Sequence, residues 1–192
     1  MTDKDIREQI IRSAKDIFSR FGFKKTTVDD IAHSIHRAKS SIYYYFGSKE
    51  EIFEEVIRRE YAYLKDRLRE ALAAEDTPEG KLRAYVLTRL RVLLKVSNLY
   101  GAITSDYLSY FGLIETLRKD YVQEEIWMFR EILREGVENG AFAIRNVDAT
   151  ARTVVTAMKG LEYEWATTED AGELEKDVEN ILDMVLYGIV AR

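Results

Sequence analysis

Residues 21–51 read FGFKKTTVDDIAHSIHRAKSSIYYYFGSKEE, and the signals in this stretch decide the fold. Gly22 stands where an amphipathic helix should stop, because glycine enters the left-handed region without steric cost. Thr26 and Thr27 can each cap a new helix, with Asp29 or Asp30 three residues on as in a capping box. That helix is short and ends near Ser34. Ile35-His36-Arg37 then forms a turn, Ala38 to Phe46 a further short helix, and Gly47-Ser48-Lys49-Glu50-Glu51 a second capping-box pattern through Ser48 and Glu51. Upstream, Ile6, Ile10, Ala14, Ile17 and Phe21 recur every three or four residues, so Asp3 to Phe21 is predicted to be an amphipathic helix. Short helices joined by tight turns are the arrangement in which one helix can be presented to a DNA groove.

Downstream the pattern stays helical. A long helix is predicted from Ser48 through Phe53, Ile57, Leu64 and Leu68 to about Ala74, and Thr77 with Pro78 marks a clean restart. Further helices are expected at 78–99, 102–111, 114–139, 148–166 and 173–190, separated by Asn139-Gly140 and by the stretch from Thr167 to Gly172. One proline and ten glycines in 192 residues leave few of the turns an all-β fold needs. The expected class is therefore all-α, with a three-helix helix-turn-helix in residues 1–50 and a helical body in residues 51–192. The absence of cysteine excludes disulfides, thiolate zinc sites and cysteine nucleophiles. Met1 to Arg7 is charged, and no apolar run approaches the roughly 20 residues that span a bilayer, so a soluble, cytoplasmic protein without membrane contact is expected.

The net charge of −5 is unevenly distributed. Residues 1–50 hold ten Lys and Arg against seven Asp and Glu, a balance of +3, which leaves −8 for the remainder. A basic head on an acidic body suggests that only the head meets a polyanion.

Phe21-Gly22-Phe23, Thr26-Thr27-Val28, Ile31-Ala32 and Ile42-Tyr43-Tyr44-Tyr45-Phe46, followed by Ser48-Lys49-Glu50, resemble the N-terminal signature of the TetR family of bacterial transcription regulators. The resemblance spans about Arg7 to Phe53. It implies that Ala38 to Tyr44 is the recognition helix, that Thr27, Ser41, Tyr43 and Lys49 hold phosphates, and that Lys39, Ser40, Tyr44 and Tyr45 fall where base edges are read. The chemistry agrees: hydroxyls, lysine and free N–H groups at helix starts donate to phosphate oxygens, and a lysine can donate to guanine O6 and N7. Ile42 and Phe46, four residues apart, are the better candidates for burial. The sequence departs from the family at the turn, where His36 and Arg37 replace the usual glycine and apolar residue. Histidine accepts a positive φ only at some cost. Arg37 can reach a phosphate or a base, or simply remain solvated.

For the body the resemblance implies only a helical architecture, with dimerisation through the last two helices and a small-molecule effector. Helix 148–166 carries Ala151, Val154, Met158, Leu161 and Trp165 on one stripe, and Thr153, Ala157 and Gly160 on a small-residue stripe. The last helix aligns Leu174, Val178, Ile181, Val185 and Ile189, with Met184 and Tyr187 widening the apolar arc. Helix 114–139 has two apolar stripes and is expected to be buried on more than one side. Tyr85, Tyr100, Tyr107, Phe111, Trp127, Met158 and Trp165 combine apolar area with a few polar tips, as a pocket for a largely apolar effector requires. Catalysis is not expected. The two histidines, His33 and His36, both lie in the head, and neighbouring acids such as Asp29-Asp30 and Glu124-Glu125 point apart on a helix. No metal or cofactor is called for. Operator DNA, a second copy of the chain and an effector are the expected partners.

Overall fold

The computed structural model describes residues 2–96, 107–167 and 171–189. Eight helices are described: α1 (Asp3–Lys25), α2 (Val28–Ser34), α3 (Lys39–Tyr45), α4 (Lys49–Ala73), α5 (Pro78–Lys95), α6 (Tyr107–Glu138), α7 (Val147–Thr167) and α8 (Ala171–Ile189). They form two compact units, residues 1–62 with 96–117 and residues 63–95 with 118–192. No helix among the described residues is long and apolar enough to cross a membrane.

In the first unit, α1 packs on α2 and α2 on α3. Ile10, Ile11, Ala14 and Phe18 of α1 are buried, as are Val28, Ile31 and Ala32 of α2 and Ile42 and Phe46 at α3. Gly22 does take a positive φ of 78°, but it kinks α1 rather than ending it, and one further turn carries Phe23 into the core. There Phe18, Phe23 and Phe53 cluster with ring centroids 4.7–5.6 Å apart, joining α1 to the start of α4. Ion pairs reinforce this contact: Arg59 grips Glu8 with two hydrogen bonds of 2.6 Å, and Arg7 reaches Glu55 at 3.5 Å.

In the second unit, α5 packs on α8, with Arg83–Asp183 and Arg91–Glu175 ion pairs at the margin. Met128, Phe129, Ile132 and Leu133 of α6 are all buried, as its two apolar stripes predict. The break expected between 111 and 114 does not occur. Tyr107 to Glu138 is a single helix through Gly112, because a lone glycine costs only about 1 kcal/mol in a helix. Among the acids of α6, Glu125 is almost fully buried against Arg89, with hydrogen bonds of 2.8 and 3.2 Å. After α6 the chain turns back on itself. The Phe142 N–H donates to Gly136 O at 2.8 Å, and its ring lies where a Cβ on Gly136 would be only 2.0 Å away. Glycine is thus obligatory at 136.

Candidate nucleic-acid interface

The site begins with two local hydrogen-bond motifs. Thr27 is the cap of α2: its Oγ1 accepts from the Asp30 N–H at 3.2 Å, and Asp30 Oδ2 accepts from the Thr27 N–H at 2.8 Å. The Thr27 hydroxyl also donates to Asp30 at 2.7 Å. The two bonds donated to the carboxylate, by the Thr27 hydroxyl and then by its N–H, hold the Asp30 pKa below the usual carboxylate value, since each favours the ionised form. Thr26, the alternative cap, is instead buried and donates to Gly22 O at 2.8 Å.

At its other end α2 closes with a Schellman arrangement. The His36 N–H donates to His33 O at 3.1 Å and the Arg37 N–H to Ala32 O at 2.9 Å. The first residue past the cap must then be left-handed, and His36 has a φ of 54°. The strain anticipated from the missing glycine is therefore present. The turn delivers the chain to Ala38, which caps α3 without any side-chain hydrogen bond.

On α3, burial of Ile42 and Phe46 fixes one face and turns the rest outward. Lys39, Ser40 and Tyr43 are exposed, Tyr44 is 76% exposed, and Ser41 is half-buried. Arg37, just before the helix, is exposed. Tyr45 is half-buried, its ring edge-on to Tyr44 at 4.9 Å and its hydroxyl donating to Asp3 Oδ1 at 3.0 Å. Burial first, and then that hydrogen bond, raise the Tyr45 pKa. Lys39 donates to Asp29 Oδ2 at 2.6 Å, which raises its pKa above the ordinary lysine value.

Lys49, expected from the resemblance to hold a phosphate, is half-buried at the end of α1. Its ammonium donates to Phe23 O at 2.8 Å and Thr26 O at 2.9 Å, and sits 4.2 Å from the centre of the Phe23 ring. It closes the C-terminal end of α1, and these bonds commit two of its three N–H donors. Next to it, Ser48 caps α4 by accepting from the Glu51 N–H at 3.1 Å, while Glu51 reaches the Gly47 N–H at 2.7 Å. Sequence reading missed Asp3 and Asp29. Asp29 was absorbed into the α2 cap, but Asp30 alone does the capping, and the partner of Asp29 lies ten residues on.

Of the residues expected around an effector, Tyr85, Trp127 and Met158 have described side chains. Tyr85 is fully buried against Phe129, ring centroids 5.3 Å apart, and Met158 is buried. Trp127 is 56% exposed and lines an open groove of about 640 Å³ with Lys65, Leu72, Met128 and Ile132. Its rim carries the Lys65–Glu124 pair and the Lys81–Glu135 pair, the latter at 2.7 Å. Tyr100 lies outside the described residues, as do the side chains of Tyr107, Phe111 and Trp165.

Residues 10–56 match the family described as bacterial regulatory proteins, tetR family, and residues 76–191 match the QacR-like protein C-terminal region. The chain belongs to the TetR family. It is 31% identical over 142 residues to the HTH-type transcriptional repressor KstR2 of Mycolicibacterium smegmatis, covering 71% of this chain and 67% of that protein. It is 24% identical over 161 residues to the HTH-type transcriptional regulator QacR of Staphylococcus aureus, covering 82% and 84%. A solved structure of a transcriptional regulator from Cytophaga hutchinsonii superposes with a TM-score of 0.76 at 27% identity, over 96% of this chain and 98% of that one. The protein is thus a ligand-responsive, DNA-binding transcription regulator, a class that acts by binding rather than by catalysis. TetR family regulators bind operator DNA, dimerise and respond to small molecules.

Proposed function

We propose that this regulator is a repressor that sits as a homodimer on a near-palindromic operator, with α3 in the major groove, and is released by a largely apolar effector. The observation that carries this reading is α3 itself. Ile42 and Phe46 are locked in the core while Lys39, Ser40, Tyr43 and Tyr44 are presented outward, beside Thr27 and Arg37. In this reading residues 1–50 form the DNA-binding head, and residues 51–192 carry dimerisation and effector binding. The KstR2 relative is named a repressor, which supports the direction of control.

Dimerisation is assigned to the outer faces of α7 and α8. Thr153, Ala157 and Gly160 are exposed, and a Cβ on Gly160 would meet nothing within 4 Å, so a second helix can approach closely there. On α8, Leu174, Val178 and Leu182 are buried, whereas Ile181, Met184 and Tyr187 stand in solvent, a large apolar area for a surface. Two heads related by a two-fold axis then read half-sites about 34–36 Å apart or a multiple of that spacing. The effector is assigned to the groove at Trp127, where Lys65, Arg69, Leu72 and Ala73 of α4 form one wall. The same helix is tied to α1 by Arg59 and Glu8 nearer its start. An effector that binds two arrangements of α4 with affinities differing by 1–3 kcal/mol changes DNA affinity about 5–150-fold.

The test combines sedimentation with DNA titration. Gly160→Glu is expected to give monomers that no longer hold an operator selected from random DNA. A mutant that remains dimeric removes α7 from the interface. Apolar compounds that raise thermal stability are expected to quench tryptophan fluorescence and weaken operator binding, and to lose both effects in Trp127→Ala. Stabilising compounds that leave operator affinity unchanged refute the switch.

A further inference from the structure

We infer that Asp29 sets the selectivity of the recognition helix by holding Lys39, an inference that rests on α3 being the helix that reads DNA. Lys39 is the first residue of α3, and its ammonium donates to Asp29 Oδ2 at 2.6 Å across the turn. The side chains are 49% and 53% exposed, so the pair lies at the surface. An exposed pair of this kind adds little to stability. Nor is the Asp29 carboxylate needed to cap α2, since Asp30 makes the reciprocal bonds with Thr27. A comparable acid holds the other end of the helix, where Asp3 accepts from the Tyr45 hydroxyl at 3.0 Å.

The effect of the Asp29 carboxylate is on what Lys39 can bind. A lone ammonium at a DNA surface neutralises whichever phosphate is nearest, and each neutralised phosphate strengthens binding to every sequence alike. Joined to Asp29, the ammonium brings no net charge to the phosphates, and the carboxylate is itself repelled by them. An ammonium has three N–H donors. Asp29 takes one and leaves two, which matches the N7 and O6 acceptors that guanine offers in the major groove. A base contact can be added while the pair stays intact, whereas a phosphate contact must draw Lys39 away or bring a carboxylate towards the backbone. Asp29 is therefore a positioning residue: it suppresses non-specific binding and orients Lys39 for a base edge.

The full-length protein is titrated by fluorescence anisotropy on an operator selected from random DNA and on a scrambled duplex, at several salt concentrations. Asp29→Asn is expected to bind scrambled DNA more tightly, with a log K against log salt slope steeper by about 0.9, the value for one more neutralised phosphate. The operator-over-scrambled affinity ratio falls about 5- to 10-fold, as expected when one base contact loses its geometry. Both changes disappear in a Lys39→Ala background. Asp29→Ser, a second neutral variant, gives the same loss and guards against a folding defect in the first. An unchanged ratio in the folded Asp29 variants, or the same loss in the Lys39→Ala background, overturns the inference. If Lys39→Ala loses discrimination while Asp29→Asn keeps it, α3 stands as the reading helix and only the role of Asp29 falls. If Lys39→Ala and Tyr44→Ala both bind the operator as the wild type does, α3 does not read DNA and the inference falls with it.

Discussion

Replacing His36 by glycine should stabilise the head, although it removes a whole side chain. His36 is exposed and occupies the left-handed position at the end of α2, with a φ of 54° imposed by the hydrogen bonds from its own N–H to His33 O and from Arg37 N–H to Ala32 O. The left-handed conformation costs an L-residue roughly 1–2 kcal/mol, and glycine escapes that cost. Against this, glycine loses more backbone freedom on folding, a penalty of roughly 0.5–1 kcal/mol. The difference leaves about 0.5–1 kcal/mol of net stabilisation. For a chain of this length each kcal/mol moves the melting temperature by about 2–4 °C, so His36→Gly should melt about 1–4 °C higher. The measurement is thermal unfolding by circular dichroism at fixed protein concentration, because dimerisation makes Tm concentration-dependent. Hydrogen exchange should locate the added protection at the amides of α2 and α3. His36→Val supplies the opposite sign, since a β-branched residue is a poor occupant of this region. A His36→Gly protein that melts no higher than wild type, or a His36→Val protein that melts as high, refutes the argument from backbone strain.

Removing one partner of the buried Arg89–Glu125 pair should be far more damaging than any surface change. Arg89→Leu leaves Glu125 buried and uncompensated, and is expected to cost about 3–5 kcal/mol in urea unfolding, whereas Lys81→Ala, at a groove-edge pair, should cost under about 1 kcal/mol. In acid, the depressed pKa of Asp30 means that its contribution to stability is complete above its unfolded value, near 4, and is lost as pH falls through the folded one. Asp30→Asn should therefore narrow the stability difference between neutral and acidic solution, seen as a shallower fall of the unfolding midpoint below about pH 4.

What the sequence determined by itself was whatever depends on hydrogen bonds within a few residues. The caps at Thr27, Ser48 and Thr77, the positive φ at Gly22 and the strained turn at His36 involve partners no more than about five positions away, so the residues that make them are adjacent in the text of the chain. The apolar periodicity of α3 likewise foretold that Ile42 and Phe46 would be buried, and the matched spacing of its neighbours carried the family. Tertiary structure decided the rest, because coverage of a helical face depends on elements far apart in the chain. Lys49 turns back onto the end of α1, over Phe23, and Lys39, still half exposed, pairs with Asp29 ten residues away. Trp127 and Tyr85 have similar local patterns, yet Phe129 and its neighbours enclose Tyr85 while nothing in the described chain covers Trp127 to the same degree. On α8 it is Leu182 that joins Leu174 and Val178 in the core, leaving Ile181 outside, since only the packing against α5 selects which edge of a wide apolar arc is inward. The requirement for glycine at 136 is set by the ring of Phe142, brought back by the turn after α6 to a distance that no local propensity encodes.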